Sequence, residues 1–311
     1  MWGSGRIVPS RADQGLDSVL FKHRSATGWQ LFCTPHWLRL ALKAVTESGF
    51  SGIILSECTT CGTLHRERSV NSASNAHCGD KAVQMIARSL CSEVNQLTSL
   101  DVQYKLLGEQ AGIAIAKAMQ SKHCKLTHLM ISYLCLTSKA GMAFATALQS
   151  PHCQLEYLDL SFVWGASFMG VWGGLKEAAG LAVAQSLSSK HCKLTFLDVS
   201  HSGLSDSVGI AIATSFFTRT SRIRTLKVSG NGKHQHMSDT VFGVGAAVAM
   251  ATALRSEWCK LTNLDISYNA ANAAGISAIS SAISKAAGSW CCCVLLGTRQ
   301  KKKALRLWPL C

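Results

Sequence analysis

One spacing constrains this chain more than any other feature. L-x-x-L-x-L recurs as Leu97/Leu100/Val102, Leu126/Leu129/Ile131, Leu155/Leu158/Leu160, Leu194/Leu197/Val199, Ile223/Leu226/Val228 and Leu261/Leu264/Ile266. Successive copies start 29, 29, 39, 29 and 38 residues apart, so the unit is 29 residues long and two copies carry insertions. Seven residues before each start stands a helix-ending apolar residue: Leu90, Met119, Leu148, Leu187, Phe216 or Leu254. A unit that alternates a short apolar strand with an alanine-rich helix cannot bury its apolar face alone. Stacked neighbours must cover it, which is the logic of a solenoid.

The strand motif C-K-L-T-x-L-D-x-S and the helix motif A-G-x-A-x-A-x-A-L resemble the leucine-rich repeats of the ribonuclease-inhibitor type, which also underlie NOD-like receptors and the Ran GTPase-activating protein. The resemblance covers about residues 79–290. It implies an α/β fold, a curved horseshoe with parallel strands on the concave face and helices on the convex face. The family's Asn, eight residues after the first Leu, stands here as Asn231 and Asn269, whereas the other copies have Lys105, Leu134, Val163 and Ser202. Those turns must satisfy their backbone groups by other means.

Four segments are expected: a lead-in over residues 1–34, a degenerate N-terminal repeat or cap with an inserted loop over 35–78, the array over 79–290, and a Cys-rich basic tail over 291–311. Phe50, Ile53 and Leu55 carry the strand spacing of the degenerate copy. Glycines at 112, 141, 180 and 209 occupy one position in successive helices, a pattern that predicts close helix packing. The two insertions, about 163–175 and 233–244, predict surface loops.

Alternation along each strand turns the Leu positions inward and the residues between them toward the concave face. One column then reads Asp101, Met130, Asp159, Asp198, Lys227 and Asp265. Beside it run Tyr157 and Phe196, and at the strand ends Tyr104, Tyr133, His201 and Tyr268. Carboxylates among exposed aromatics suit a basic protein segment, so these twelve residues are the candidate partner-binding face. Ser200, His201 and Asp198 do not form a hydrolase triad, because adjacent strand residues point to opposite faces. No catalytic, cofactor or metal site is therefore expected, and the function read from the sequence is a non-catalytic protein-binding scaffold. The family resemblance implies an alternative, an activator of a small GTPase; a second alternative is membrane or nucleic-acid association through the tail.

The formal net charge is +14, with Arg299, Lys301, Lys302, Lys303 and Arg306 in the tail and single lysines such as Lys122, Lys125, Lys190, Lys193 and Lys260 at helix ends. The scattered lysines read as a solvated face, so a nucleic-acid partner is not the expectation. Cys124, Cys153, Cys192 and Cys259 each lie two residues before a repeat start and predict a column of reduced core thiols, hence a cytoplasmic or nuclear setting. Cys58 and Cys61, with His65 and Cys78, give only half of a zinc pattern and read as a loop. Cys291, Cys292 and Cys293 beside the basic cluster would suit acylation at an anionic membrane. The first 30 residues show no secretory pattern, and no run of apolar residues is long enough to span a membrane.

Overall fold

A computed structural model of the chain describes residues 83–102, 108–132, 137–161, 175–231 and 242–285, and at 24–25, 28–30, 52–54, 293–298 and 301–307 it describes backbone strands. Among the described residues, strands β1 (Arg24–Ser25), β2 (Gly28–Gln30) and β3 (Gly52–Ile54) lead into helix α1 (residues 83–90). Then come β4 (Ser99–Asp101), α2 (Glu109–Ala118), β5 (His128–Met130), α3 (Ser138–Leu148), β6 (Tyr157–Asp159) and α4 (Lys176–Ser186). The alternation continues through β7 (Phe196–Asp198), α5 (Asp206–Ser215), β8 (Thr225–Lys227), α6 (Val244–Ala253), β9 (Asn263–Asp265) and α7 (Ala273–Lys285).

All strands lie in one sheet in sequence order. From β4 to β9 every pairing is parallel and in one register, Leu100 opposite Leu129, Leu158, Leu197, Leu226 and Leu264. On the N-terminal side Ile53 pairs with Leu100, and on the other the β10 (Cys293–Thr298) and β11 (Lys301–Leu307) hairpin pairs with β9. Among the described residues, six parallel strands, β4 to β9, alternating with seven helices give the arrangement of an α/β repeat solenoid.

The second Leu of every copy is wholly buried against the helices, while the residues on either side of it stay partly open in most strands. Helices approach closely where the recurrent glycines stand. A Cβ on Gly141 would lie 2.7 Å from Ala179 Cβ, on Gly180 2.8 Å from Val208 Cγ2, and on Gly209 2.4 Å from Ala246 Cβ. The insertions leave this packing intact because each ends at a buried residue, Leu175 or Phe242, that falls in the register of Leu204, twelve residues before the helix end.

Behind the strands the polar groups are satisfied copy by copy. Asn269 donates to the carbonyls of Val228 (2.9 Å) and Ile266 (3.0 Å) and accepts from Asn231 N–H; Asn231 repeats the pattern one copy earlier, accepting from Ser202 N–H at 2.9 Å. Ser202 continues the ladder in place of Asn by donating to Leu160 C=O at 2.9 Å. Lys105, Leu134 and Val163 lie outside the described residues.

The thiol column forms as expected. Cys124, Cys153 and Cys192 are buried, Cys259 is half-buried, and all four are free. Burial pushes Cys124, Cys192 and Cys259 up to about 11 and raises Cys153, although each sulfur accepts the N–H of the Leu two residues on. Such thiols stay protonated and unreactive. Among the described residues, no helix is long and apolar enough to cross a membrane.

Candidate functional site

The strand residues that flank the buried Leu line the open face of the sheet in two columns, fixed by the pairing register. Ser99, His128, Tyr157, Phe196, Thr225 and Asn263 follow one another, as do Asp101, Met130, Asp159, Asp198, Lys227 and Asp265. Parallel pairing without stagger places identical positions side by side, about 4.8 Å apart. Flat rings in such a column stack. His128 and Tyr157 have centroids 5.6 Å apart, and Tyr157 and Phe196 4.0 Å apart with planes 8° from parallel. Lys227 reaches back over this stack, its Nζ 5.1 Å from the Phe196 ring centre and 3.7 Å from Asp198 Oδ2.

The aspartates have a second attachment. Asp159, Asp198 and Asp265 each accept, through Oδ1, the backbone N–H of the Ser two residues on, at 2.8, 2.9 and 3.0 Å. Each is an Asx turn that closes the strand end and engages Oδ1; in Asp198 the other oxygen, Oδ2, faces Lys227. This explains why the D-x-S spacing recurs. Asp198 is also less open than alternation suggests, at 9% exposure, with Lys227 paired to it on one side and Asp159 beside it on the other. Burial raises its carboxyl above the ordinary range, against the lowering by Ser200 and Lys227. Tyr157 is pushed up to about 12, by burial first and then by Asp159, Asp198 and Asp101.

At the strand ends His201 and Tyr268 adopt left-handed backbone, φ 53° and 55°, where the equivalent residue between them is Gly230, φ 70°. Glycine takes this conformation freely; His and Tyr take it at a cost of about 1 kcal/mol or more. The His201 imidazole occupies the space a Cβ on Gly230 would need. Tyr268 is 58% exposed.

Of the twelve residues expected on this face, ten are described, and nine of them are partly or fully exposed. Tyr104 and Tyr133 lie outside the described residues, as do the Cys58, Cys61, His65 and Cys78 group, Cys291 and Cys292, and nearly all of both insertions. In the serine column that follows the aspartates, Ser132, Ser161, Ser200 and Ser267 are buried and Ser229 is half-buried. Ser200 is bonded to Asp198 and accepts from Ser229 N–H, so it is not offered as a nucleophile. Among the described residues no three His, Cys, Asp or Glu side chains converge as metal ligands. These Asx turns are not anticipated by strand alternation alone; two-residue Asp–Ser spacing at a strand end is their signal in the sequence.

No protein-family model matches the chain, and no curated protein matches it significantly.

Proposed function

We propose that the chain is a leucine-rich repeat protein of the ribonuclease-inhibitor type, and that it acts as a non-catalytic scaffold whose open strand face grips a basic segment of a protein partner. The stacked rings of His128, Tyr157 and Phe196 beside Asp159, Asp198 and Asp265 carry this reading. Rigid aromatic surface supplies contact area with little entropy to lose, and the half-exposed carboxylates of Asp159 and Asp265 accept charge-assisted hydrogen bonds from Lys or Arg, whereas Asp198 Oδ2 already faces Lys227. Strain at Tyr268 and His201 supports it, since glycine would serve the fold better at both positions.

The test uses the immobilised full chain, a panel of Lys/Arg-rich and control peptides, and two variants. Tyr157→Ala removes the centre of the stack. Tyr268→Gly relieves strain, so a loss of binding there cannot be charged to instability. Tenfold or greater weakening for basic peptides in both variants, with unchanged circular dichroism, supports the reading. Equal binding by all three chains sinks it.

A further inference from the structure

The positive charge that is scattered along the sequence is gathered on the fold. In every turn from helix to strand, the position just before the first Leu falls in one column, which holds Lys125, Lys193, Arg222 and Lys260, with Gln96 and Gln154 in the two remaining places. Three residues earlier a second column holds Lys122, Lys190 and Arg219, with Glu93, Pro151 and Glu257 in the remaining places. Between them runs a column of flat rings, His123, His152, His191 and, after Thr220, Trp258.

Hydrogen bonds between neighbouring turns show that these columns are continuous. Lys125 Nζ donates to Gln96 Oε1 at 3.0 Å, and Lys193 bonds Gln154 in the same way. Thr220 donates to Ser188 C=O at 2.7 Å, and Lys260 Nζ to the carbonyls of Arg219 and Ser221 at 3.0 and 3.1 Å. The Arg219 guanidinium lies 4.0 Å over the Trp258 ring. Acidic residues on this edge are few: Glu93 sits 3.7 Å from His123 at one end, Glu156 enters β6, and Glu257 adjoins Trp258. Over the turns that hold Lys190, Lys193, Arg219 and Arg222 the edge is a cationic strip, to which Arg224 adds at the entry of β8; in the next turn Lys260 stands with Glu257.

We propose that this edge binds single-stranded nucleic acid, with phosphates along the two cationic columns and bases against the rings between them. Cations alone would fit any polyanion. Rings interleaved with them favour a strand whose bases are unstacked and free to lie on aromatic or guanidinium planes. A duplex hides those faces, and a lipid surface would call for protruding aliphatic side chains, which this strip lacks beyond Val94 at its far end. The site is separate from the acidic strand face, and its test does not depend on that assignment.

Binding of the full chain to a labelled oligo(U) of about 20 nucleotides is followed by fluorescence polarisation across a salt series. Lys190→Gln with Lys193→Gln, and separately Arg222→Gln with Arg224→Gln, should weaken binding about tenfold or more and each flatten the log–log salt slope by about 1.4, two phosphate contacts at about 0.7 each. Trp258→Ala should weaken binding roughly fivefold to a hundredfold with the slope unchanged, because stacking carries no counterion release. Trp258→Phe, which keeps a ring, should retain most of the affinity and exposes any folding defect peculiar to the Ala variant. A control with Lys301, Lys302 and Lys303 changed to Gln should bind as wild type. The proposal is overturned by an unchanged salt slope in both paired variants, by binding that disappears only in the tail control, by equal affinity for a duplex of the same length, or by edge-dependent binding to phosphatidylserine vesicles with none to the oligonucleotide.

Discussion

Ser221 occupies the position where Cys124, Cys153, Cys192 and Cys259 stand in other copies, and its hydroxyl is buried without a hydrogen-bond partner. In the first copy Asn95 solves the same problem by accepting Leu97 N–H at 3.0 Å and donating to His123 C=O at 3.1 Å. A thiol costs less to bury than a hydroxyl, so Ser221→Cys should raise stability by about 1 kcal/mol. The urea midpoint should rise with an unchanged m value, and a fall would show that the hydroxyl is satisfied after all. Asp198 is the converse case, a buried group that does have partners. Burial holds its folded-state pKa above the unfolded value of about 3.9, so the folded state disfavours the carboxylate. Its contribution to stability is present in full below about pH 4 and is lost as pH rises through the folded value. Asp198→Asn keeps an oxygen for Ser200 N–H and removes the titration. The variant should therefore be more stable than wild type at pH 7, with the gap closing toward pH 4. A gap that widens on acidification would assign the opposite sign to the shift.

Three helix starts in this array, those of α3, α5 and α6, are met by an acid of the copy before. Gly243 begins α6 with no side chain of its own to cap it, and Asp206, in the first turn of α5, accepts from Gly243 N–H at 2.8 Å and Ala246 N–H at 2.7 Å. The same relation joins Glu109 to Thr137 and Glu177 to Ser205, each an acid in one helix meeting the N-cap of the next. An anion there satisfies open N–H groups and meets the positive end of the helix dipole. Asp206→Ala should cost about 1–2 kcal/mol, read by chemical denaturation, while Asp206→Asn should recover part of that. Equal loss in the two variants would mean that charge rather than the hydrogen bonds carries the effect. Apolar period and glycine register made the helices legible in the sequence. Their caps were not, because a local search for Ser, Thr, Asp or Asn before each helix finds nothing at Gly243, and the residue that serves lies 37 positions earlier.

Across the whole molecule, what was legible followed from repetition and what was not followed from adjacency between copies. Six strands with the buried Leu in one register, the thiol column and the close glycines all needed only the 29-residue unit. The enclosed serines, the burial of Asp198 and the cationic edge needed the copies laid side by side, where Lys190 and Arg219 become neighbours although 29 residues part them. That adjacency also sets how damage spreads. Leu197 is wholly buried in the middle of the array, packed between Leu158 and Leu226 on the flanking strands. Leu197→Asp places a charge there with no partner, a loss of more than about 3 kcal/mol. Stability in a stack is a sum of unit and nearest-neighbour terms, so the failure should be greatest in β6, β7 and β8 and fade toward the ends. Hydrogen exchange resolved by segment should show those three strands losing protection first, with α1 and α7 least affected. Unchanged thermal unfolding would contradict the register itself. Uniform loss from end to end would instead mean that the copies fold as one cooperative unit, their interfaces dominating over their intrinsic stabilities.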